Sequence, residues 1–520
     1  MRGRPVNLTK RKSGDDRLLR RADWRFLLPS GSPRRIVCFV RGGLAEAAAV
    51  IGTTSGPDLT EEGEADLVVI EEGDASTLDA AFRVIRPGGS FYGEWRRFSS
   101  GSWMRIRRRL EDAGFVEIAC YWPWPPPGGS TPRYWLPLDA QPPLKYFLRS
   151  HARGYTKIKA LRQRMLGSLW RVAFRARLLR PICVVARRPG GRPSDQGVLG
   201  MTHLRWEAFG LGRRPAALSW MLFTPGASAR NKLIGLVFAD DEDEPRLVVK
   251  LPRVPESQTA LEREAANLQA VHARRPSEVT GVPSLLFMER TDPMLLGETF
   301  ISGSPLNVML NRRSFGELSM KVTRWLSELA TGDRATRADW CSRLVERPLT
   351  ELDREWGPFL TLTELGRLRS RVALLDDLPL VIEQRDCAPW NLSVTDEGRL
   401  VVHDWESAEP RGLPLLDLTY FLAYSSFFVD GAMTSGRYVE AYRASHDPAT
   451  LIGYARAQCE RDYLYRLGLK WTVVAPLRAL TWLVHLHADC VRVRKRAPSE
   501  SLFLHLLREE LSAIAWRRQG

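Results

Sequence analysis

The sequence predicts two folded parts, a doubly wound α/β domain over residues 30–190 and a bilobal α+β part over residues 201–520. Three observations support this division. Strand-like and helix-like segments alternate in the first part, and an apolar strand-loop-strand carries three spaced polar residues in the second. The net charge of +16 is confined to the first 200 residues, which hold 35 Lys and Arg against 19 Asp and Glu, whereas residues 201–520 hold 41 of each.

The α/β part is predicted from apolar segments separated by turn residues. Residues 34–40 and 65–70 have the composition of buried strands, and residues 78–85 form a helix pattern that ends before Pro87-Gly88-Gly89. Further strand and helix patterns follow at 105–113, 115–121 and 181–186. Such alternation predicts a Rossmann-like sheet with helices packed against it.

Within this part, residues 65–115 resemble the later half of a class I S-adenosylmethionine-dependent methyltransferase. Such enzymes have an acidic residue and a glycine-rich turn after the first strand, which hold the cofactor. This chain has Val40-Arg41-Gly42-Gly43 at that point, without an acidic residue. The resemblance implies a degenerate domain in which S-adenosylmethionine binding is not expected. A plain α/β domain that positions the second part or its substrate is the alternative.

The second part contains a loop with the spacing needed for phosphoryl transfer. Asp386 and Asn391 follow an apolar strand, and the run Leu400-Val401-Val402-His403 leads to Asp404. An Asp can accept the proton of an acceptor hydroxyl, while an Asn oxygen and a second Asp can bind Mg²⁺. Either aspartate alone would be explained as a turn residue. Three residues with this spacing favour a catalytic base at Asp386 and metal ligands at Asn391 and Asp404.

A cationic group for nucleotide phosphates is predicted N-terminal to this loop. Lys250 is the one lysine of an apolar strand that follows an acidic turn. Glu264 lies within the apolar stripe of the next helix, whereas Glu262 points away from it. Because a buried carboxylate needs a partner, Glu264 is the better candidate to pair with Lys250.

These segments resemble the aminoglycoside phosphotransferase and choline kinase family, which has a protein-kinase-like fold. The family loop usually begins His-Gly-Asp, and here Gln384-Arg385-Asp386 replaces it, with Asp404-Trp405-Glu406 matching the later family motif. Asp417 matches an aspartate that is expected to brace the loop. The resemblance implies an N-lobe over residues 201–303 and a mainly helical C-lobe over residues 304–520.

The same resemblance implies where the nucleotide binds. Gly226 lies in a turn before Lys250 whose backbone N–H groups could cover the phosphates. The segment with Glu298 and Phe300 resembles the hinge strand, whose backbone would bind the adenine edge. ATP is the expected nucleotide, with GTP as the alternative.

Taken together, the sequence predicts an ATP- and Mg²⁺-dependent phosphotransferase that acts on a hydroxyl of a small molecule or saccharide. One alternative is a bifunctional methyltransferase and kinase that modifies a saccharide or polysaccharide end. Another is a pseudokinase or scaffold that serves as a binding module.

Other segments of the sequence bear on the cellular location and the binding partners of the protein. Residues 1–29 are basic and have no apolar signal region, and residues 191–200 have the composition of a linker. A basic amphipathic stretch at 161–180 leaves an anionic membrane surface or another polyanion open as a partner. No nucleic-acid-binding motif is present. Seven scattered cysteines favour a reducing, cytoplasmic location, with peripheral membrane association as the alternative.

Overall fold

The computed structural model describes residues 13–57, 61–96, 102–126, 131–152, 179–191, 197–226, 228–274, 281–493 and 496–512. The chain divides into two compact units, the first comprising Met1–Glu262 with Ser284–Phe300 and the second Arg263–Pro283 with Ile301–Gly520. Three sequence predictions lie partly outside the described residues: the basic start (1–12), the basic amphipathic stretch (161–178) and the linker (192–196).

The described residues of the first unit form twelve strands and six complete helices. The strands are β1 Arg35–Cys38, β2 Thr53–Ser55, β3 Ala65–Glu71, β4 Ile85–Trp95, β5 Val116–Trp124, β6 Tyr134–Pro137, β7 Ile182–Arg187, β8 Leu218–Phe223, β9 Leu233–Ala239, β10 Leu247–Leu251, β11 Leu285–Glu289 and β12 Leu295–Thr299. The helices are α1 Ser13–Arg21, α2 Gly43–Ala49, α3 Ala75–Val84, α4 Trp103–Asp112, α5 Gln141–Ala152 and α6 Val198–Leu204. A further helix, α7 Gln258–Arg274, begins in this unit.

All twelve strands form one mixed sheet, in the order β11-β12-β10-β9-β8-β6-β5-β7-β4-β3-β1-β2. The four strands β2-β1-β3-β4 are parallel, and helices α2 and α3 connect them. Strand β3 is buried along most of its length because both faces are covered, as its continuous apolar run predicts. These observations confirm the predicted α/β fold of the N-terminal part.

The sheet continues from the parallel strands into the antiparallel strands that carry Lys250. The connection is made by β6 and β8, where Tyr134 pairs with Phe223 and Trp135 pairs with Leu222. The predicted domains over 30–190 and 201–303 therefore share a sheet, and the boundary between them at 191–200 stays a prediction.

The second unit is mainly helical. Its helices are α8 Leu306–Met309, α9 Phe315–Ser327, α10 Arg337–Cys341, α11 Arg347–Trp356, α12 Leu362–Val372, α13 Leu416–Val429, α14 Ala432–Ser435, α15 Tyr438–Ala444, α16 Leu451–Arg466, α17 Val474–His487 and α18 Leu502–Leu511. Its strands are β13 Ser304–Pro305, β14 Ala330–Ala335, β15 Leu378–Glu383, β16 Leu392–Val394, β17 Leu400–Val402 and β18 Glu409–Gly412. They form two sheets, β13-β16-β17 and β14-β15-β18.

Helix α13 is apolar around most of its circumference and is buried accordingly. Across the described part of the chain, no single helix is both long and apolar enough to cross a bilayer. The pair Leu451–Arg466 and Trp471–Val491 meets these criteria only when joined, and it is bent by 115°.

Candidate active site

The loop after β15 is held in place by a carboxylate at the start of α13. Asp417 accepts hydrogen bonds from the backbone N–H groups of Gln384, at 2.6 Å, and Arg385, at 2.9 Å. Arg385 has a positive φ of 63°, a conformation that side-chain-bearing residues rarely adopt. Its guanidinium donates to Glu383 at 2.9 Å. Asp417 therefore braces the loop at a strained residue, as the family resemblance implies.

Two of the predicted site residues lie in contact on this loop. The side-chain amide of Asn391 donates to Asp386 twice, to a carboxylate oxygen and to the main-chain oxygen, each at 2.8 Å. The Tyr420 hydroxyl donates to the other carboxylate oxygen of Asp386 at 3.3 Å. Both oxygens of Asp386 are thus oriented by named donors.

Gln384 joins the loop to the strand end that carries Asp404. Its amide nitrogen donates to the main-chain oxygens of His403, at 3.0 Å, and Asp404, at 2.7 Å. Its amide oxygen accepts the N–H of Asp386 at 2.8 Å. A single buried side chain therefore connects the predicted base to the predicted metal ligand.

Asp404 lies among other carboxylates. Its φ of 63° places it in the left-handed region, where β17 gives way to the short turn Trp405–Ser407. Glu264, fully buried on α7, accepts the N–H of Trp405 at 3.2 Å. Asp404, Glu264 and Glu406 each place one carboxylate oxygen within 4.8 Å of the others. This group can hold a cation.

Lys250 lies on β10 and forms a buried ion pair with Glu298 of the neighbouring β12. The Nζ–Oε1 distance is 2.7 Å, and both side chains are about 5% exposed or less. The antiparallel register pairs Val248 with Glu298. Lys250 lies two residues further along the same face of β10, so it is diagonally opposite Glu298. The sequence predicts Glu298 as a hinge residue and Glu264 as the partner of Lys250. Glu264 belongs to the other unit, and its pairing with Lys250 stays a prediction.

Gly226 and Phe300 flank the same antiparallel strands. Gly226 has a φ of 69° in the turn between β8 and β9, and a Cβ atom there would collide with the side chain of Asn231. Only glycine fits this turn without strain. Phe300 follows β12, and its ring contacts Tyr146 edge-on at a centroid distance of 5.8 Å.

Comparison with known proteins gives the family of this region. Residues 220–458 match the model of the phosphotransferase enzyme family. This segment belongs to that family. The match covers the strands that carry Lys250 as well as the loop with Asp386, Asn391 and Asp404. No curated protein matches the chain.

Solved structures similar to the chain include two small-molecule kinases. A glucosamine kinase in complex with glucosamine, ADP and inorganic phosphate is 20% identical to this chain, with a TM-score of 0.35. The match covers 64% of this chain and 84% of the glucosamine kinase. The choline kinase LicA from Streptococcus pneumoniae is 13% identical, with a TM-score of 0.35. The match covers 60% of this chain and 98% of the choline kinase.

A phosphoethanolamine N-methyltransferase 2 from Haemonchus contortus is 12% identical, covers 32% of this chain and 51% of its own, and has a TM-score of 0.19. Because all these TM-scores are below 0.5, the site residues and the family match carry the functional argument.

The electrostatics of the phosphotransferase domain suit a base at Asp386. Burial raises the pKa of Asp386 to about 7, with the negative charge of Asp404 acting in the same direction. The hydrogen bonds from Asn391 and Tyr420 oppose this shift by stabilising the ionised form. A carboxyl group with a pKa near neutrality can both accept and release a proton under physiological conditions.

Sequence reasoning missed two residues of the candidate site. Tyr420 stands three residues after Asp417 on α13, a spacing that places both on one helix face, and this signal could have pointed to it. Gln384 stands in the sequence as a departure from the family histidine. Its amide can both donate and accept, and this capacity indicates a bridging role.

Proposed function

We propose that the protein is an ATP- and Mg²⁺-dependent phosphotransferase that transfers the γ-phosphoryl group to a hydroxyl of a small molecule or saccharide. The observation that carries this proposal is the contact of Asp386 with Asn391, 2.8 Å from amide nitrogen to carboxylate oxygen. Phosphoryl transfer by such a loop needs a carboxylate for the hydroxyl and an amide oxygen for the metal. The two residues supply both groups within one short loop.

Mg²⁺ fits the donor atoms around Asp404. The carboxylates of Asp404, Glu264 and Glu406 provide an all-oxygen set, which is the set that Mg²⁺ prefers. Asn391 uses its amide nitrogen on Asp386, so its amide oxygen is the atom left to bind the metal. When bound, the ion would neutralise negative charge on the β- and γ-phosphates. Asp404 and Asn391 are the assigned ligands.

Asp386 orients the acceptor hydroxyl and receives its proton. In the transfer, the acceptor oxygen forms a bond to the γ-phosphorus, and the bond from that phosphorus to the β–γ bridging oxygen breaks. ADP leaves, and the acceptor proton passes to the Asp386 carboxylate. The pKa of about 7 supports this role, because a carboxyl with that pKa is substantially ionised at neutral pH and retains affinity for a proton.

The nucleotide is assigned to groups of the antiparallel strands. Lys250 is held by Glu298 at 2.7 Å, which fixes its ammonium group for the phosphates. The turn at Gly226 supplies backbone N–H groups, and the backbone around Glu298 and Phe300 is assigned to the base edge. These roles for Lys250, Gly226, Glu298 and Phe300 rest on the family resemblance and on their positions on β8–β12.

The acceptor is assigned to an aromatic face beside Asp386. Tyr420, Tyr424 and Phe428 recur every fourth residue along α13, and Trp390 packs against the last two at centroid distances of 5.3 and 6.0 Å. Trp390 is 41% exposed although it is a large apolar side chain. Such rings accept the apolar face or the cationic group of a small acceptor.

The methyltransferase alternative receives no support from the described residues. Arg41 is exposed in the turn after β1, where this class of enzyme has its acidic residue, and α2 begins directly after Gly42. Cofactor-dependent methyl transfer is therefore not part of the proposal.

Nucleotide binding by thermal shift tests the proposal first. Wild type, Asp404→Asn and the control Asp447→Asn are compared with ATP and GTP, each with and without Mg²⁺. Asp447 accepts the N–H of Ala449 in a surface turn, and asparagine keeps this hydrogen bond. A ligand at about 100 times its Kd stabilises the folded state by about 2.7 kcal/mol.

We expect a Mg²⁺-dependent increase in Tm for wild type and Asp447→Asn that is lost in Asp404→Asn. An acceptor screen by ADP release over amino sugars, aminoglycosides and choline then identifies the substrate class. If neither nucleotide shifts the wild-type Tm, the phosphotransferase proposal fails, and the binding-module alternative takes its place.

A further inference from the structure

The segment before the first strand contacts the turn that we assign to the nucleotide phosphates. Residues 16–25, called the N-terminal strap below, comprise most of α1 and the turn that follows. Asp16 of the strap accepts the backbone N–H of Ala229 at 3.2 Å. Leu19 packs with Ala229 and Val254 in a small buried cluster. The strap therefore meets the turn between β8 and β9 through one polar contact and one apolar contact.

A buried arginine connects the strap, the turn and the strand that bears Lys250. Arg253 lies two residues after the end of β10, and its side chain is fully buried. Its guanidinium donates to both carboxylate oxygens of Asp23, at 3.0 and 3.1 Å, and to the main-chain oxygen of Ser228 at 2.7 Å. Arg25 of the strap donates to the main-chain oxygen of Arg253 at 2.6 Å.

These contacts fix the orientation of the turn. The main-chain oxygen of Ser228 is directed to Arg253, and the N–H of Ala229 is directed to Asp16. The peptide groups near Gly226 are therefore anchored on the strap side. Since Lys250 and Arg253 lie on one short segment, the same arginine ties the turn to the strand that carries the lysine.

A role in stability alone does not account for this arrangement well. Asp23 and Arg253 are both fully buried, and the desolvation of two charges offsets much of their attraction. Apolar residues of similar volume often stabilise a fold as well or better, whereas a bidentate ion pair fixes geometry. The pair is suited to holding a turn in one conformation.

We propose that Asp16 and Asp23 of the N-terminal strap are positioning residues that hold the turn around Gly226 in the conformation that binds the phosphates of a nucleoside triphosphate. The inference rests on the proposed function and extends it to a segment outside the phosphotransferase family match. It makes nucleotide affinity dependent on residues that touch no part of the nucleotide.

The test combines Mg²⁺-ADP affinity by calorimetry with hydrogen–deuterium exchange of residues 228–233, on the full chain. Asp23→Asn removes the charge but keeps the side-chain volume. Asp66→Asn is the matched control in the same unit, because the Asp66 carboxylate bonds to the backbone of Arg34 and Arg35 and to Arg86. Both substitutions remove a structural carboxylate, so they share a general loss of stability.

For Asp23→Asn we expect faster exchange in residues 228–233 and a Kd for Mg²⁺-ADP raised about tenfold or more, as for the loss of one charge-assisted hydrogen bond. Asp66→Asn should change the Kd less than about twofold. If Asp23→Asn does not fold, Asp16→Ala replaces it, since Asp16 is only half-buried and alanine removes the acceptor of the Ala229 N–H. For Asp16→Ala a smaller increase in Kd, of about two- to fivefold, is expected.

Two negative outcomes are distinguishable. If wild type binds Mg²⁺-ADP and the strap variants bind it equally well, the positioning role is overturned while the proposed function stands. If wild type binds no nucleotide, both fall.

Discussion

The amide nitrogen of Gln384 lies 2.7 Å from the main-chain oxygen of Asp404, to which it donates a hydrogen bond. The amide oxygen of the same side chain accepts the N–H of Asp386. A glutamine can make both contacts at once because its amide carries a donor and an acceptor. The residue that departs from the usual family histidine therefore links the proposed base to the proposed metal ligand.

We expect Gln384→Ala to lower kcat by about 10- to 100-fold, because small misplacements of reacting groups cost rates of this order. Nucleotide affinity without Mg²⁺ should change little. Gln384→His, which restores the family residue, should retain more of the rate than alanine does. Steady-state kinetics with an acceptor from the screen measure the effect. Equal rates for Gln384→Ala and wild type would remove the bridging role.

Tyr420→Phe should move the acid limb of the pH–rate profile to higher pH. The Tyr420 hydroxyl stabilises the ionised form of Asp386, so its loss raises the pKa of that carboxyl. Since the base acts when ionised, the variant should be slower at pH 7 and approach wild type at higher pH. The displacement should be about one pH unit or less, because one unit corresponds to about 1.4 kcal/mol.

The matched control for this experiment is Tyr463→Phe. Tyr463 is also a buried tyrosine, but its hydroxyl accepts the N–H of Leu415. Its removal should reduce stability without moving the pH profile. If the pH–rate profile shifts equally in both variants, the hydrogen bond from Tyr420 is not what lowers the pKa of Asp386.

A double-mutant cycle can identify the partner of Lys250. We expect Lys250→Met and Glu298→Gln to be coupled by more than about 1 kcal/mol in urea unfolding, because removing one member of a buried pair leaves the other uncompensated. Coupling between Lys250→Met and Glu264→Gln should be smaller. Comparable coupling to Glu264 would instead favour the pair that the sequence predicts.

The contrast between these two glutamates shows which parts of the site sequence could predict. Asp386 and Asn391 are five residues apart, and a single hairpin, β16–β17, connects them to Asp404. Their proximity therefore follows from local structure. The Lys250–Glu298 pair depends on the register of β10 against β12, which no local pattern specifies. The sequence predicts roles for both Lys250 and Glu298, but as a phosphate-binding residue and a hinge residue rather than as a pair.

The fold shows the same division between local and distant relationships. Alternating segments predicted the α/β part, and the structure confirms it. The pairing of β6 with β8 joins two strands that are about 80 residues apart in sequence, and pairing over such a distance leaves no mark in hydrophobic periodicity. The contact of Asp23 with Arg253 spans 230 residues, and the basic composition of residues 1–29 does not indicate it.

A buried charge cluster lies in the helical unit. Glu460 accepts hydrogen bonds from Arg456 at 3.3 Å and Arg478 at 3.1 Å, and all three side chains are almost fully buried. Burial would raise the pKa of Glu460, but the two arginines outweigh it and the pKa is lowered. A carboxyl group with a lowered folded pKa stabilises the fold above its unfolded pKa of about 4.3. That contribution is lost as the pH falls through the folded pKa.

Glu460→Gln should therefore reduce the free energy of unfolding by about 3–5 kcal/mol at pH 7, because two buried guanidinium groups lose their counter-charge. The difference from wild type should shrink as the pH falls below about 4.3, where Glu460 of the unfolded chain becomes protonated, and should go on shrinking until the pH passes the lowered folded pKa. Urea unfolding at pH 7, 5, 4 and 3 measures both effects. The control Asp462→Asn removes an exposed pair with Arg466 and should cost less than about 1 kcal/mol at every pH. A loss for Glu460→Gln that is equally large at pH 3 and pH 7 would mean that packing, rather than charge, makes Glu460 important.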